Sequence, residues 1–258
     1  MELGKLPLLK STTVQNGVHL LSDQLPLEVL YENARTAENR ILSDDQLLGL
    51  PNGTDLWNAH EWLIRSHSAD RLSHALAKRG NGLRILDVGC GSGWLAALLQ
   101  HNGHSVLGID AFTSELEQAA RVFVDGPVFA RADLFTSPLP ERGFDVVLFA
   151  ASIQYFPDPA ATIKRAKQLL ANDGEVHVMD SILYRSKAEM LAAVERSRSY
   201  YRNIGVPEMT DHYHAHELSA FHSGGSSRIL AAPSGMDRTL AKFGRPVSPF
   251  THVVIADQ

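Results

Sequence analysis

Leu83-Arg84-Ile85-Leu86-Asp87-Val88-Gly89-Cys90-Gly91-Ser92-Gly93-Trp94 passes from an apolar strand pattern into a glycine-rich turn and then into the start of a helix. The run 83–88 is short, mostly apolar and bounded by Gly82 and Gly89, which is how a buried strand reads. Glycines after such a strand permit positive φ and let a ligand approach bare backbone. Working outward, residues 94–100 continue as a helix, 105–109 as a second strand and 115–122 as a second helix. Residues 127–130 and 144–149 read as the third and fourth strands. A helix over 158–170 is closed by Asn172-Asp173-Gly174, and 175–180 is a fifth strand. Such alternation makes a parallel sheet with helices on both faces, whose ligands bind outside the carboxyl ends of the strands.

Acidic residues stand at those ends. The dinucleotide-binding pattern GxGxxG fails by one residue, because its third glycine falls at Trp94. Asp87, two residues before Gly89, is a poor neighbour for a pyrophosphate and a good one for a cation. Asp110 ends the second strand 21 residues after Gly89, where a carboxylate accepts hydrogen bonds from ribose hydroxyls. Asp133 follows the third strand and is placed to accept from an adenine amino group. Together they point to a cationic, phosphate-free nucleoside: S-adenosyl-L-methionine, with its ammonium and sulfonium, fits that description. The plain alternative is that these are turn or cap aspartates, and it weighs most for Asp133.

The run Leu86-Asp87-Val88-Gly89-Cys90-Gly91-Ser92-Gly93 resembles motif I of class I S-adenosylmethionine-dependent methyltransferases. Gly108-Ile109-Asp110 looks like their ribose-binding acid, and Ala132-Asp133-Leu134 like their adenine-contacting segment. Residues 144–155 are similar to the fourth-strand motif that ends beside the methyl group. The likeness spans about residues 83–180 and is nearest to the small-molecule branch often called type 11 or type 25. It implies a Rossmann-like α/β fold with a doubly wound, mostly parallel seven-stranded sheet. It also implies cofactor contacts at Asp87, Gly89, Cys90, Gly91, Gly93, Asp110, Ala111, Asp133, Leu134 and Ala150. Many relatives carry a histidine pair soon after the fourth strand, where this chain has Gln154-Tyr155, so no catalytic role carries over there. The absence of an Asn/Asp-Pro-Pro-Tyr segment disfavours methylation of DNA-base amino groups.

Composition narrows the function further. Hydrophobic residues make up 44% of the 258 residues and charged residues 21%, a globular mix. A net charge of -5 argues against a protein that grips nucleic-acid backbone. The one cysteine, Cys90, lies in the glycine loop and cannot form an internal disulfide, which fits a reducing, cytoplasmic setting. Residues 1–10 include Pro7 and lack the apolar core of a signal peptide. The longest apolar run, around 146–153, falls far short of the ~20 residues that a membrane helix needs. A soluble protein with a small-molecule acceptor, and with neither nucleic-acid nor membrane partner, is expected. Its oligomeric state cannot be read from the sequence.

The flanks supply the acceptor side. Residues 1–80 read as a helical cap, 81–180 as the cofactor-binding core and 181–258 as the C-terminal part of the same domain. In the cap, a helix over 55–78 with Asp55 as its cap carries Trp62, Ala69, Leu72 and Leu76 at helical spacing. Arg65 is a candidate partner for the methionine carboxylate, and Tyr31, Trp57, His60 and Trp62 for a lid. Beyond the core, an amphipathic helix over 187–203 precedes strands at 227–231 and 251–256, the last as an antiparallel edge. His212, His214 and His216 share a face in an extended chain, and His212 and His216 share one in a helix. His212 and His214 are candidates for a base near neutral pH, and Tyr155 for a catalytic contact with the acceptor. The plain reading makes the histidines a polar surface segment and Tyr155 a packed aromatic beside Phe156; no metal site is expected. The function expected is in-line methyl transfer to an oxygen or nitrogen of a small organic acceptor. An NAD(P)-dependent oxidoreductase and a non-catalytic S-adenosylmethionine-binding protein are the alternatives.

Overall fold

Side chains along the central strands alternate between two buried faces, and the whole architecture follows from this. The computed structural model describes residues 7–25, 27–222, 226–234 and 247–256. Its strands are β1 (Thr13–Gln15), β2 (Val18–Leu20), β3 (Arg84–Val88), β4 (Ser105–Asp110), β5 (Val128–Arg131), β6 (Phe144–Ala150), β7 (Leu170–Ser181), β8 (Leu183–Tyr184), β9 (His216–Glu217), β10 (Ser227–Ala231) and β11 (Thr251–Ala256). Its helices are α1 (Pro7–Lys10), α2 (Leu27–Ala37), α3 (Asp44–Leu48), α4 (Ala59–Ala77), α5 (Trp94–His101), α6 (Thr113–Val122), α7 (Pro159–Leu169) and α8 (Lys187–Asn203). One sheet runs in the order β1-β2-β5-β4-β3-β6-β7-β11-β10, and β8 and β9 form a separate pair.

Ile85 of β3 is buried with Leu72 and Leu76 of α4 and with Leu95 and Leu99 of α5. Its neighbour Leu86 is buried in another cluster, with Ile163 and Ala166 of α7. Helices thus cover both faces, and the strands between them have no polar side to show. β3 pairs in parallel with β4 on one side and with β6 on the other. The strand order therefore reverses at β3, and the helices following β3 and β6 leave the sheet on opposite faces. A crevice opens there at the carboxyl ends.

The sheet departs from expectation at both edges. It has nine strands where seven were expected. The extra pair, β1 and β2, lies in the segment expected to be a helical cap. Asn16-Gly17 joins them with φ of 48° and 83°, a two-residue hairpin geometry matched to strand twist. β2 then pairs in parallel with β5. At the other edge β11 is antiparallel to β7 as expected, but β10 covers it, so β11 is interior. Helix α4 begins at Ala59 and not at Asp55, and its N-cap Asn58 makes no side-chain cap bond. Among the described residues no helix is long and apolar enough to cross a membrane.

A third apolar cluster sits over the crevice. Ala34 of α2, Tyr201 of α8 and Val206 and Met209 near the 3-10 turn Pro207–His212 pack together, with Tyr31, Tyr155 and Tyr213 against them. Segments far apart in sequence are in this way tied across the strand ends.

Candidate active site

A cavity of 1460 Å³ lies at the crevice, lined by Gly89-Cys90-Gly91-Ser92, by Asp110-Ala111-Phe112 and by Ala150-Ala151-Ser152. Trp57, Trp62, Tyr200, Tyr201 and Tyr213 line it from the cap and the C-terminal part. Of the residues expected to contact a cofactor, Gly89, Cys90, Gly91, Asp110, Ala111, Asp133, Leu134, Ala150 and Arg65 are on its wall.

Gly93 is not. Its φ of 73° starts α5 in a left-handed conformation, and a Cβ there would lie 2.6 Å from the Phe129 ring. The turn and the packing beneath it require a glycine here. Gly89 has a φ of 71°, and a Cβ there would lie 2.5 Å from Ser152 Cβ. Asp87 is likewise off the wall, buried under the loop with Oδ1 unpartnered among the described residues. Any contact with a ligand ammonium must pass through the loop, as a water bridge does.

Asp110 is the anchor of the loop. Its Oδ2 accepts from Gly91 N at 2.8 Å, and its Oδ1 from Ala111 N at 2.7 Å and Phe112 N at 3.1 Å. A carboxylate has about four lone-pair sites, so about one is left, on Oδ2. That is room for one ribose hydroxyl in this arrangement, not two. Burial, and then the charge of Glu115, push the Asp110 carboxyl up to about 7; burial and then Asp110 do the same to Asp87. Glu115, from α6, is also on the wall and binds Arg35 at 3.1 Å, while Tyr31 donates to its Oε2 at 3.3 Å. Arg35 thus offsets Glu115 and bonds neither aspartate. Two buried acids held up for want of a counter-charge suit a cationic ligand, and an added phosphate would worsen their position.

The remaining candidates divide. Asp133 uses Oδ1 in its own turn, accepting from Phe135 N at 3.0 Å and from Thr136 N and Oγ1 at 2.8 Å, which is the plain cap role. Oδ2 is what remains for an adenine. Arg65 is committed to Glu61, with Nε at 3.0 Å and Nη2 at 2.8 Å from Oε1. It reaches the cavity as half of an ion pair and not as a free cation. Of the lid candidates Tyr31, Trp57 and Trp62 are on the wall and His60 is not.

Tyr155 lies in an aromatic chain, 6.0 Å from Tyr31 and 5.9 Å from Tyr213 between ring centroids. Burial pushes its phenol well above the ordinary value, with Tyr213 adding to the effect. A phenol held up in this way favours its protonated form, which can donate a hydrogen bond. The histidines part company because the chain leaves the 3-10 turn at Tyr213. His212 lines the cavity. His214 lines a smaller neighbouring pocket, its backbone N fixed to Gln154 O at 2.7 Å, and burial lowers its imidazole pKa. His216 is buried with its ring Nε2 3.2 Å from Ile153 O. His214 therefore stands outside the cavity that holds the glycine loop and Asp110. Among the described residues no group of three His, Cys, Asp or Glu has a metal-binding arrangement.

A residue that the strand pattern did not single out is on the wall as well. Asp180, the last residue but one of β7, is buried, with both carboxylate oxygens without a hydrogen-bond partner among the described residues and φ at 54°.

A family model described as a methyltransferase domain matches residues 60–222, more than half of the chain. The ubiquinone biosynthesis O-methyltransferase of Acinetobacter baylyi is 31% identical over 139 residues, covering 52% of this chain and 56% of that protein. This chain thus spans little more than half the length of that curated relative. Among solved structures, the geranyl diphosphate C-methyltransferase of Streptomyces coelicolor, in complex with S-adenosyl-L-homocysteine, has a TM-score of 0.59 at 13% identity, over 91% of this chain and 98% of that one. The magnesium protoporphyrin IX methyltransferase of Synechocystis gives 0.57 at 13% identity, over 90% and 96%. Such likeness at low identity shows a shared fold, the Rossmann-like methyltransferase fold.

Proposed function

Since the chain belongs to the methyltransferase-domain family of S-adenosyl-L-methionine-dependent enzymes, we propose that it methylates an oxygen of a small, hydroxylated, largely planar acceptor. The observation that carries this reading is one continuous cavity reaching from the glycine loop past the end of β6 to an aromatic wall. Its 1460 Å³ exceeds the 300–1,000 Å³ usual for a single small ligand, so cofactor and acceptor fit side by side. The likeness to ubiquinone biosynthesis O-methyltransferases favours oxygen over nitrogen. A cytoplasmic setting belongs to the same reading.

When bound, the cofactor supplies a methyl group activated on a sulfonium centre. Asp110 holds the ribose side through its one free lone pair, and the carboxylates of Asp87 and Asp110 favour the cationic end. Asp133 Oδ2 and the Leu134 side chain take the adenine. Ala150 and Ala151 bring small side chains to the strand end, which leaves room for an acceptor to approach in line. Trp57, Tyr200 and Tyr213 offer flat apolar faces to an aromatic ring. His212, exposed on the cavity wall, is the histidine able to pass a proton to solvent.

The test is turnover of S-adenosylmethionine to adenosylhomocysteine with a panel of phenols, amines and carboxylates. Product with phenols alone is the expected outcome; product with amines alone would overturn the oxygen assignment, and silence across the panel would favour a non-catalytic binding protein. His212→Ala is expected to leave cofactor affinity intact and lower turnover on the accepted phenol. If both stay at wild-type levels, the histidine is surface.

A further inference from the structure

β6 and β7 end side by side at the cavity, and both ends are unusual. Ala151 N donates to Met179 O at 2.9 Å, which sets Asp180 beside Ala151. Both residues are left-handed, with φ of 56° at Ala151 and 54° at Asp180. Positive φ in non-glycine residues costs on the order of 1–3 kcal/mol each and persists where surrounding structure fixes it. Ser181 Oγ donates to Gln154 Oε1 at 2.9 Å, and Gln154 Nε2 donates to Ala151 O at 2.5 Å, so the two ends are tied together.

At this irregularity of the strand Asp180 is only 4% exposed on the cavity wall. Neither carboxylate oxygen has a hydrogen-bond partner among the described residues. A buried unpaired carboxylate is costly, and unmade hydrogen bonds of this kind point to a ligand that makes them. The polar groups around it come from α4: Arg65, the Ser68 hydroxyl and Arg71 favour its ionised form and Glu61 opposes it. Burial outweighs these and raises its carboxyl pKa. Arg65 is occupied by Glu61, so no full ion pair satisfies Asp180 from within the chain.

We propose that Asp180 is the acceptor-side residue of the site: it receives the hydrogen bond, and in the reaction the proton, of the hydroxyl group that is methylated. This rests on the oxygen-acceptor reading above. The hydroxyl oxygen forms its bond to the methyl carbon as the carbon–sulfur bond breaks and its electron pair stays on sulfur. The proton passes to Asp180, and solvent that enters as the methyl ether leaves takes it away. Acceptors with a donor O–H at the reacting position are bound, and their methyl ethers are released.

Two substitutions separate binding from proton transfer. Asp180→Asn keeps an acceptor oxygen and a residue type that tolerates left-handed backbone, but removes the proton acceptor. Asp180→Ala removes both. In the adenosylhomocysteine complex the wild-type protein should bind 4-nitrophenol, kept below its pKa, about ten- to hundredfold more tightly than 4-nitroanisole. Asp180→Asn should keep much of that preference and lose about 10²–10⁴-fold in turnover, and Asp180→Ala should lose both. Adenosylhomocysteine affinity and thermal melting of both variants should stay near wild type. An unchanged phenol preference in Asp180→Ala, or weakened adenosylhomocysteine binding in both variants, would overturn the proposal, the latter by placing Asp180 in the cofactor's own site. A wild-type protein that binds the phenol preferentially but turns over no phenol would sink the oxygen-methylation reading and leave the Asp180 site standing. No phenol preference in the wild type would sink the Asp180 site itself.

Discussion

Asp110→Ala is expected to weaken S-adenosylmethionine binding by about 1–3 kcal/mol, or roughly five- to 150-fold in Kd. The side chain accepts three backbone N–H groups, from Gly91, Ala111 and Phe112, and keeps about one lone pair free, the one proposed above to meet the ribose. Removing it strips the ligand of a charged acceptor and frees the loop that carries Gly91. One effect runs the other way, because Asp87 loses a like-charged neighbour and is relieved. Protein stability should therefore change less than cofactor affinity does. The pH dependence follows from the same pair. In the free protein Asp87 and Asp110 are held up to about 7, above their unfolded values, so the stability they contribute is present at low pH and lost as pH rises through about 7. A cationic ligand favours their ionised forms, so its affinity should rise as pH increases from 6 to 8, with protons released on binding. Calorimetric titration in buffers of different ionisation enthalpy measures both. Unchanged affinity in Asp110→Ala would remove this residue from the site.

Gly89→Ala should be among the most damaging single methyls at the described glycines. The residue sits at φ 71°, where a Cβ costs on the order of 1–2 kcal/mol by itself. That Cβ would also lie 2.5 Å from Ser152 Cβ, far inside contact distance. Ser152 cannot swing aside without breaking its bond from Oγ to Val88 O at 2.5 Å. Overpacking adds about 1–3 kcal/mol, so a total loss of about 3 kcal/mol is expected, with cofactor binding abolished because loop and methyl-side strand end are forced apart. Gly205→Ala is the control: its φ is 81°, but a Cβ there meets nothing within 4 Å, so only the backbone cost applies. Urea denaturation of the two variants should separate them clearly. Equal losses would mean that the loop gives way more readily than its contacts indicate.

How much of this was legible in the sequence follows from how local each signal is. β3, α5 and β4 could be read because each is a short buried run with its own punctuation, Gly82, Gly89 and Gly103. Helix α8 matched over its full length, with Ser186 at its start and Gly205 past its end. The hairpin of β1 and β2 was missed although Asn16-Gly17 announces it, because β1 is only three residues long and exposed and so lacks apolar alternation. Asp87, Asp110 and Asp133 lie at or just after strand ends and are visible as a spacing. Gly93 stands off the cavity wall against Phe129, a difference among the loop glycines that the motif does not spell out. His212 and His214 alternate in sequence but stand in different pockets, since the 3-10 turn ends between them. Asp180 could not be told from an ordinary strand terminus. What singles it out is a buried carboxylate without a full ion pair at a left-handed residue inside a strand, which only three dimensions show.

The central claim is that the glycine loop and its acids hold a cationic, phosphate-free nucleoside. Calorimetric titration of the same protein sample with S-adenosylmethionine, adenosylhomocysteine and NADH tests it most directly. The account predicts saturable one-site binding of the first two, tighter at pH 8 than at pH 6 for S-adenosylmethionine, and no heat from NADH. Tight NADH binding with no heat from adenosylhomocysteine would contradict it.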